Sequence, residues 1–167
     1  MAAARQPTHW LDPAQQRVWR AFLLGSTRLF DQLERDLRLD HNLSLPEYEI
    51  LVRLSEAPEH KLRMAELASS VSHSRSRVTH TVSRLEAGGL VTRSACPTDR
   101  RGVIAGLTQQ GHTLLVEAAP THVAGVRRYL VDLVDADDLE AAGRVFAVIA
   151  ERLDPECATA ELSVSRG

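Results

Sequence analysis

Five apolar residues, Val18, Phe22, Leu29, Leu33 and Leu37, recur at spacings of four, seven, four and four. That rhythm predicts one stripe along a helix running to about Asp40. Asp12 stands where a cap is needed, Pro13 suits the first turn, and His41-Asn42-Leu43 breaks the pattern. The far end of the chain repeats the arrangement. Thr108 caps a helical stretch whose buried side is read as Leu114, Leu115, Val123, Val126, Leu130 and Leu133, with Pro120 expected to kink or split it. Asp135 caps a last helix to about Leu153, and Asp137 and Asp138 suit its dipole. Stripes this long at both ends leave little single-chain core to cover them, so they are expected to pack against a second copy.

The middle of the chain is built from shorter pieces. Ser44 stands three residues before Glu47 with Pro46 between, a capping box that opens a helix through Leu54, and Pro58 follows it. Met64 to Val71 is a short helical element with Leu67 and Ala68 facing inward and no capping residue at its start. Ser72 or Ser74 caps the next helix, which carries Val78, Val82 and Leu85 and ends at Gly88-Gly89. Two β-capable runs, Val91–Ala95 and Val103–Leu107, flank the turn-rich, basic stretch Cys96–Gly102, a hairpin with a long loop. Helix, short helix, glycine-ended helix and hairpin in that order describe a winged helix-turn-helix. The expected fold is mostly α, with long N- and C-terminal dimerisation helices. Its boundaries are a flexible arm over 1–11, a dimerisation helix over 12–43, a DNA-binding region over 44–107 with its wing at 91–107, C-terminal dimerisation helices over 108–154 and a disordered tail over 155–167.

Composition narrows the function. A chain of 167 residues with 44% hydrophobic and 25% charged residues is about one globular domain. No apolar run approaches the ~20 residues of a membrane span, and His9, Trp10 and Asp12 stand where a secretory signal would be apolar. Cys96 and Cys157 make neither a disulfide framework nor a zinc site. A soluble, cytoplasmic protein without membrane contact is expected. There is no glycine-rich phosphate loop, nucleophile elbow or metal-ligand spacing, so neither enzyme activity nor a cofactor is expected. His73 and His80 lie seven apart, too far along a helix to share a metal, and the other five histidines are scattered.

The charge is unevenly distributed. Nineteen of the twenty basic residues are arginine. Between Lys61 and Arg101 there are eight basic and three acidic residues, a balance of +5; the remainder holds twelve and nineteen, a balance of −7. A basic working face on an acidic scaffold follows. Within it, Ser72-His73-Ser74-Arg75-Ser76-Arg77-Val78-Thr79-His80 has Val78 as its only strong core residue. The rest are hydroxyls, guanidiniums and imidazoles, the groups that bond phosphates and base edges.

Glu66-Leu67-Ala68, Ser74-Arg75-Ser76-Arg77-Val78-Thr79 and Leu85-Glu86-x-x-Gly89-Leu90-Val91 resemble the MarR family of bacterial transcriptional regulators. Asp99-Arg100-Arg101 followed by Leu107-Thr108-x-x-Gly111 strengthens the match, which spans roughly Leu23 to Leu153. The resemblance implies a homodimer joined through its terminal helices, bound to pseudo-palindromic double-stranded DNA as a repressor. It also implies release by a small aromatic or anionic ligand entering a cleft between the dimer-forming and DNA-binding regions. By position, Arg101 is the wing arginine that enters the minor groove, Asp99 the carboxylate that holds it, and Ser72 to Thr79 the start of the recognition helix.

Each site residue has a plainer alternative. Arg101 is either a solvated wing-tip charge or, beside Asp99 and Arg100, a DNA contact, and the DNA role is preferred. Arg75 and Arg77 lie two apart and face different sides of the helix, which suits one base contact and one phosphate contact. Ser72, Ser74, Ser76 and Thr79 are candidate hydroxyl contacts. His80 is a DNA contact or a surface residue, Arg93 a backbone contact or a solvated strand residue, and Arg84 a structural one. Trp10, Trp19, Phe22 and Tyr48 hold four of the seven aromatic side chains. They read as dimer and helix packing, with Trp19, Phe22 and Tyr48 as the candidates for lining a ligand cleft. Cys96, among arginines, is the candidate for oxidation, and Cys157 is inert. A winged helix used for protein–protein interaction, or a DNA-binding protein that senses nothing, is the alternative function.

Overall fold

The computed structural model describes residues 8–71, 74–97 and 99–153. Helix α1 (Pro13–His41) opens on a capping box: Asp12 Oδ1 accepts from the Ala14 and Gln15 amides at 2.7 and 2.9 Å. It stops at Asn42, which adopts the left-handed conformation. Helix α2 (Leu45–Glu56) opens on the second capping box, with the Ser44 amide donating to Glu47 Oε2 at 2.8 Å. Both starts are where the sequence placed them, because each cap satisfies backbone N–H groups that no earlier turn can reach.

Strand β1 (Lys61–Arg63) and helices α3 (Met64–Ser70) and α4 (Arg75–Ala87) follow. Strands β2 (Val91–Cys96) and β3 (Asp99–Leu107) then form the hairpin, and the sheet order is β1-β3-β2, all antiparallel. The core lies beneath it. Leu37, Ile50, Leu51, Leu54, Leu67, Val78, Val82, Leu85, Val91 and Ala105 are buried together. Each large aliphatic side chain there contributes roughly 1.5–3 kcal/mol of burial.

Three features depart from the sequence reading. Strand β1 was not anticipated, since a three-residue strand with two charged members carries no alternating pattern; its pairing with β3 supplies the order. The wing loop is also shorter than Cys96–Gly102. Cys96 already pairs with Asp99, across a register shift after Ala95, so β3 begins at Asp99. Gly102 allows this, because a Cβ there would lie 2.9 Å from that of Cys96. The third departure is partial: Pro120, read as kinking or splitting its helix, does not split it, and α5 (Gln109–Val126) runs through it to a π turn at Arg127–Val131.

Helix α6 (Ala136–Leu153) starts at Asp135, whose Oδ1 accepts from the Asp138 amide at 2.8 Å. The terminal stripes are only half covered. Leu33 and Leu37 are buried where α1 meets α5, but Val18 is 70% exposed and Phe22 is exposed. Val123 and Leu133, read as buried, are exposed as well, the latter at 71%. These positions obey helical spacing but extend beyond the single chain's core. Of the expected arm, 1–7 lies outside the described residues, as does the tail from 154 onward.

One close approach fixes how α5 leaves the sheet. The Thr108 amide and hydroxyl both donate to the Leu90 carbonyl, and a Cβ on Gly111 would lie 2.1 Å from that oxygen. Gly111→Ala is therefore expected to destabilise the protein by about 1–3 kcal/mol, read as a lower urea midpoint. An unchanged midpoint would contradict this packing.

Candidate nucleic-acid interface

Helix α4 is amphipathic in the sense a groove-reading helix needs. Val78, Thr81, Val82 and Leu85 are buried, while Ser74, Arg75, Ser76, Arg77, Thr79 and His80 are exposed. At 3.6 residues per turn, Ser76 and His80 stand opposite the buried stripe. Arg75 and Thr79 lie on one flank; Arg77 and Arg84 lie on the other. Arg77, His80 and Arg84 line a groove of about 610 Å³ shared with Asp31, Glu34 and Arg38 of α1. The two arginines thus do face different sides. Arg75 and Arg77 have no ion-pair partner among the described residues.

Some of the candidate groups also serve the fold. Ser74 is the N-cap, accepting from the Arg77 amide at 3.4 Å, and Thr79 donates to the Arg75 carbonyl at 2.9 Å. Arg84 binds Glu47 Oε1 at 2.8 Å, and that carboxylate is buried, so the recognition helix is tied to α2. Arg93, on β2, is engaged by Glu86 of α4 through Nε at 2.9 Å and Nη2 at 2.5 Å. This pair fastens the wing to the recognition helix. Asp99 lies 3.4 Å from Arg63 of β1. Arg100 and Arg101 follow on β3, though their side chains lie outside the described residues, as does all of Ser72.

A second feature lies on the other side of α2. A cleft of about 920 Å³ opens between α1, α2, α5 and α6. Phe22 and Tyr48 line it as the sequence suggested. Trp19 is not part of the lining; it stacks on Phe22 at 5.7 Å, one turn further out along α1. The sequence reading missed His122, whose ring lies 4.6 Å from that of Tyr48, and Tyr129, which donates to Asp36 at 2.9 Å. Their signal was present: Leu115, Ala118, His122, Val126 and Tyr129 follow helical spacing. Burial lowers the His122 pKa and raises that of Tyr48, so both stay uncharged near neutrality.

A model of the MarR family matches residues 43–103. Sco3205, a MarR family transcriptional regulator from Streptomyces coelicolor solved in complex with DNA, is 39% identical with a TM-score of 0.86. The alignment covers 89% of this chain and 94% of that one. AbsC, a MarR family regulator from the same organism, is 40% identical with a TM-score of 0.83, covering 89% and 100%. The chain belongs to the MarR family. The HTH-type transcriptional regulator MhqR of Bacillus subtilis is 27% identical over 60% of this chain and 67% of its own length.

As a MarR protein the chain is a DNA-binding transcriptional regulator and not an enzyme. No described helix is long and apolar enough to cross a membrane. Cys96, the candidate for oxidation, is buried at the bulged end of β2, which shields its thiol from solvent. Cys157 lies outside the described residues.

The wing-to-helix fastening has a pH signature. Hydrogen bonding from Arg93 holds the Glu86 carboxyl below the usual glutamate range. A lowered carboxyl pKa stabilises the fold above its ordinary value and loses that contribution as pH falls through the lowered one. Glu86→Gln should therefore melt below the parent at neutral pH, with the gap closing in acid. A gap that stays constant would show that the pair carries no such linkage.

Proposed function

We propose that two copies of this chain bind one pseudo-palindromic operator and repress transcription in the cytoplasm. In this reading 44–107 is the DNA-binding region, 12–43 and 108–154 are the dimerisation helices, and a small aromatic or anionic ligand in the cleft causes release. The observation that carries it is the exposed side of α4. Hydroxyl and imidazole groups stand opposite a buried stripe with guanidinium groups on both flanks, on a helix fastened to the wing by Arg93–Glu86. Ser76 and His80 would face base edges, Arg75 and Arg77 would reach the flanking strands, and Arg101 would enter the minor groove from the wing. Two recognition helices about one DNA turn, ~34 Å, apart would set the operator's symmetry.

The dimer follows from apolar surface. Val18, Trp19, Phe22, Leu23 and Leu24 of α1 are exposed, as are Val145, Phe146, Val148 and Ile149 of α6. Phe22 and Phe146 touch, with centroids 5.5 Å apart, so the two sets adjoin. Continuous apolar surface of this kind marks an interface. The protein-interaction reading of the winged helix is weaker. Among the described residues from Ser74 to Leu107, Val103 is the single exposed large apolar side chain.

The experiment is a titration of the DNA upstream of the chain's own coding region against a scrambled duplex, at several salt concentrations. Salt-sensitive binding that favours the upstream duplex by ~10³ or more is expected. Equal, weak binding to both would count against self-regulation and raise the interaction reading. At fixed salt, Arg101→Ala should weaken the specific complex by about 1–3 kcal/mol. Unchanged affinity would remove the wing from the interface.

A further inference from the structure

Two histidines far apart in the sequence meet where the sheet joins α5. The ring centroids of His60 and His112 lie 6.0 Å apart. His60 immediately precedes β1, and His112 stands in the first turn of α5. The backbone holds the first ring at a cost. Glu59 and His60 are both left-handed, at φ 53° and 57°, a conformation unfavourable for any residue with a Cβ and kept only where the surroundings enforce it. Here the His60 amide donates to the Ala57 carbonyl at 2.9 Å, and His60 Nδ1 lies 2.9 Å from the Ser55 carbonyl. A carbonyl oxygen only accepts, so Nδ1 carries the proton and Nε2 the lone pair. Metal-binding imidazoles are oriented in this way, one ring N–H being donated to a carbonyl while the other nitrogen takes the ion. His112 makes no side-chain hydrogen bond among the described residues.

We propose that His60 and His112 together bind a divalent transition-metal ion of the Zn2+ and Cu2+ class, which clips the entry to β1 onto the first turn of α5. An imidazole nitrogen binds such an ion at about 2.0–2.1 Å, which puts each ring centroid about 3 Å from the metal and two shared rings roughly 5–6 Å apart. The observed separation falls at the upper end of that range. Imidazole pairs suit Zn2+, Ni2+ and Cu2+, whereas Mg2+ and Ca2+ take oxygen ligands. The Glu59 carboxylate alongside is held by Lys61 at 3.3 Å, and the described residues contain no cluster of three ligating side chains, so water completes the coordination. The clip spans a junction that is already tight. Lys61, next to His60, pairs with Gly106 of β3, and Gly111, next to His112, is pressed against the Leu90 carbonyl. Neither histidine lines the cleft between α1, α2, α5 and α6. The site was invisible as a spacing motif because only the fold brings its two rings together.

The test is calorimetric titration of the full-length chain with Zn2+ alone, followed by hydrogen exchange with and without the ion. One Zn2+ per chain is expected at this site, with Mg2+ giving no heat. His60→Gln and His112→Gln should each weaken the binding about tenfold or more, and the double variant should lose little beyond either one, since a single imidazole cannot chelate. His80→Gln, on the exposed side of α4, should leave it unchanged. Bound Zn2+ should slow amide exchange over 59–63 and 109–113 in the parent and in neither variant. No binding of Zn2+, binding that survives either substitution, or binding lost with His80 would overturn the proposal. So would binding that protects only one of the two segments, because the ion would then bridge nothing. Should His60→Gln not fold, His112→Gln and the parent's exchange pattern still decide.

Discussion

The burial of α2 is the constraint on which the rest of the structure depends. Ile50, Leu51 and Leu54 are wholly buried, and the helix packs against α1, α3, α4, α5 and the sheet. Its first turn is held by the Ser44–Glu47 box, and the same Glu47 binds Arg84 of the recognition helix. The next residue, Tyr48, faces the cleft. Adjacent residues of one helical turn therefore touch helix α4 and the cleft. A displacement of α2 by a ligand would be felt at α4 through a buried carboxylate, and losing one partner of such a pair is costly.

Much of this was legible in the sequence, where the signals are local. The caps at Asp12, Ser44, Thr108 and Asp135 are short-range hydrogen-bonding devices, and each stands at the start of its helix. The core of α4 was legible because Val78, Val82 and Leu85 follow one period. What escaped depends on contacts far apart in the chain. Strand β1 exists because β3 offers it a partner, and the tight wing depends on Gly102 facing Cys96. The exposure of Val18 and Leu133 was illegible for another reason: helical spacing states which face is apolar but not what covers it.

The candidate DNA-contacting residues divide by the same logic. Residue type and order identified the basic segment, and helical geometry then separated Ser76 and His80 from the flanking Arg75 and Arg77. Arg84 was read as structural, in keeping with its ion pair to Glu47, whereas Arg93 could not be sorted from the sequence, since its partner Glu86 is brought to it by the hairpin. Of the cleft candidates, Phe22 and Tyr48 were recoverable and Trp19 was displaced outward by one turn. His122 was readable as part of a stripe, but its stacking on Tyr48 at the cleft wall is a property of the packed structure.

The central claim is that two chains, joined through their terminal helices, read one duplex with paired recognition helices. Its most direct test is the molar mass of the complex in solution, measured by sedimentation with a duplex that the protein binds specifically. A free dimer, and a complex of two chains per duplex that persists on dilution of the protein, is the expected result. A monomer that binds singly would contradict the claim, because the apolar faces of α1 and α6 would then have to be covered by something other than a second copy.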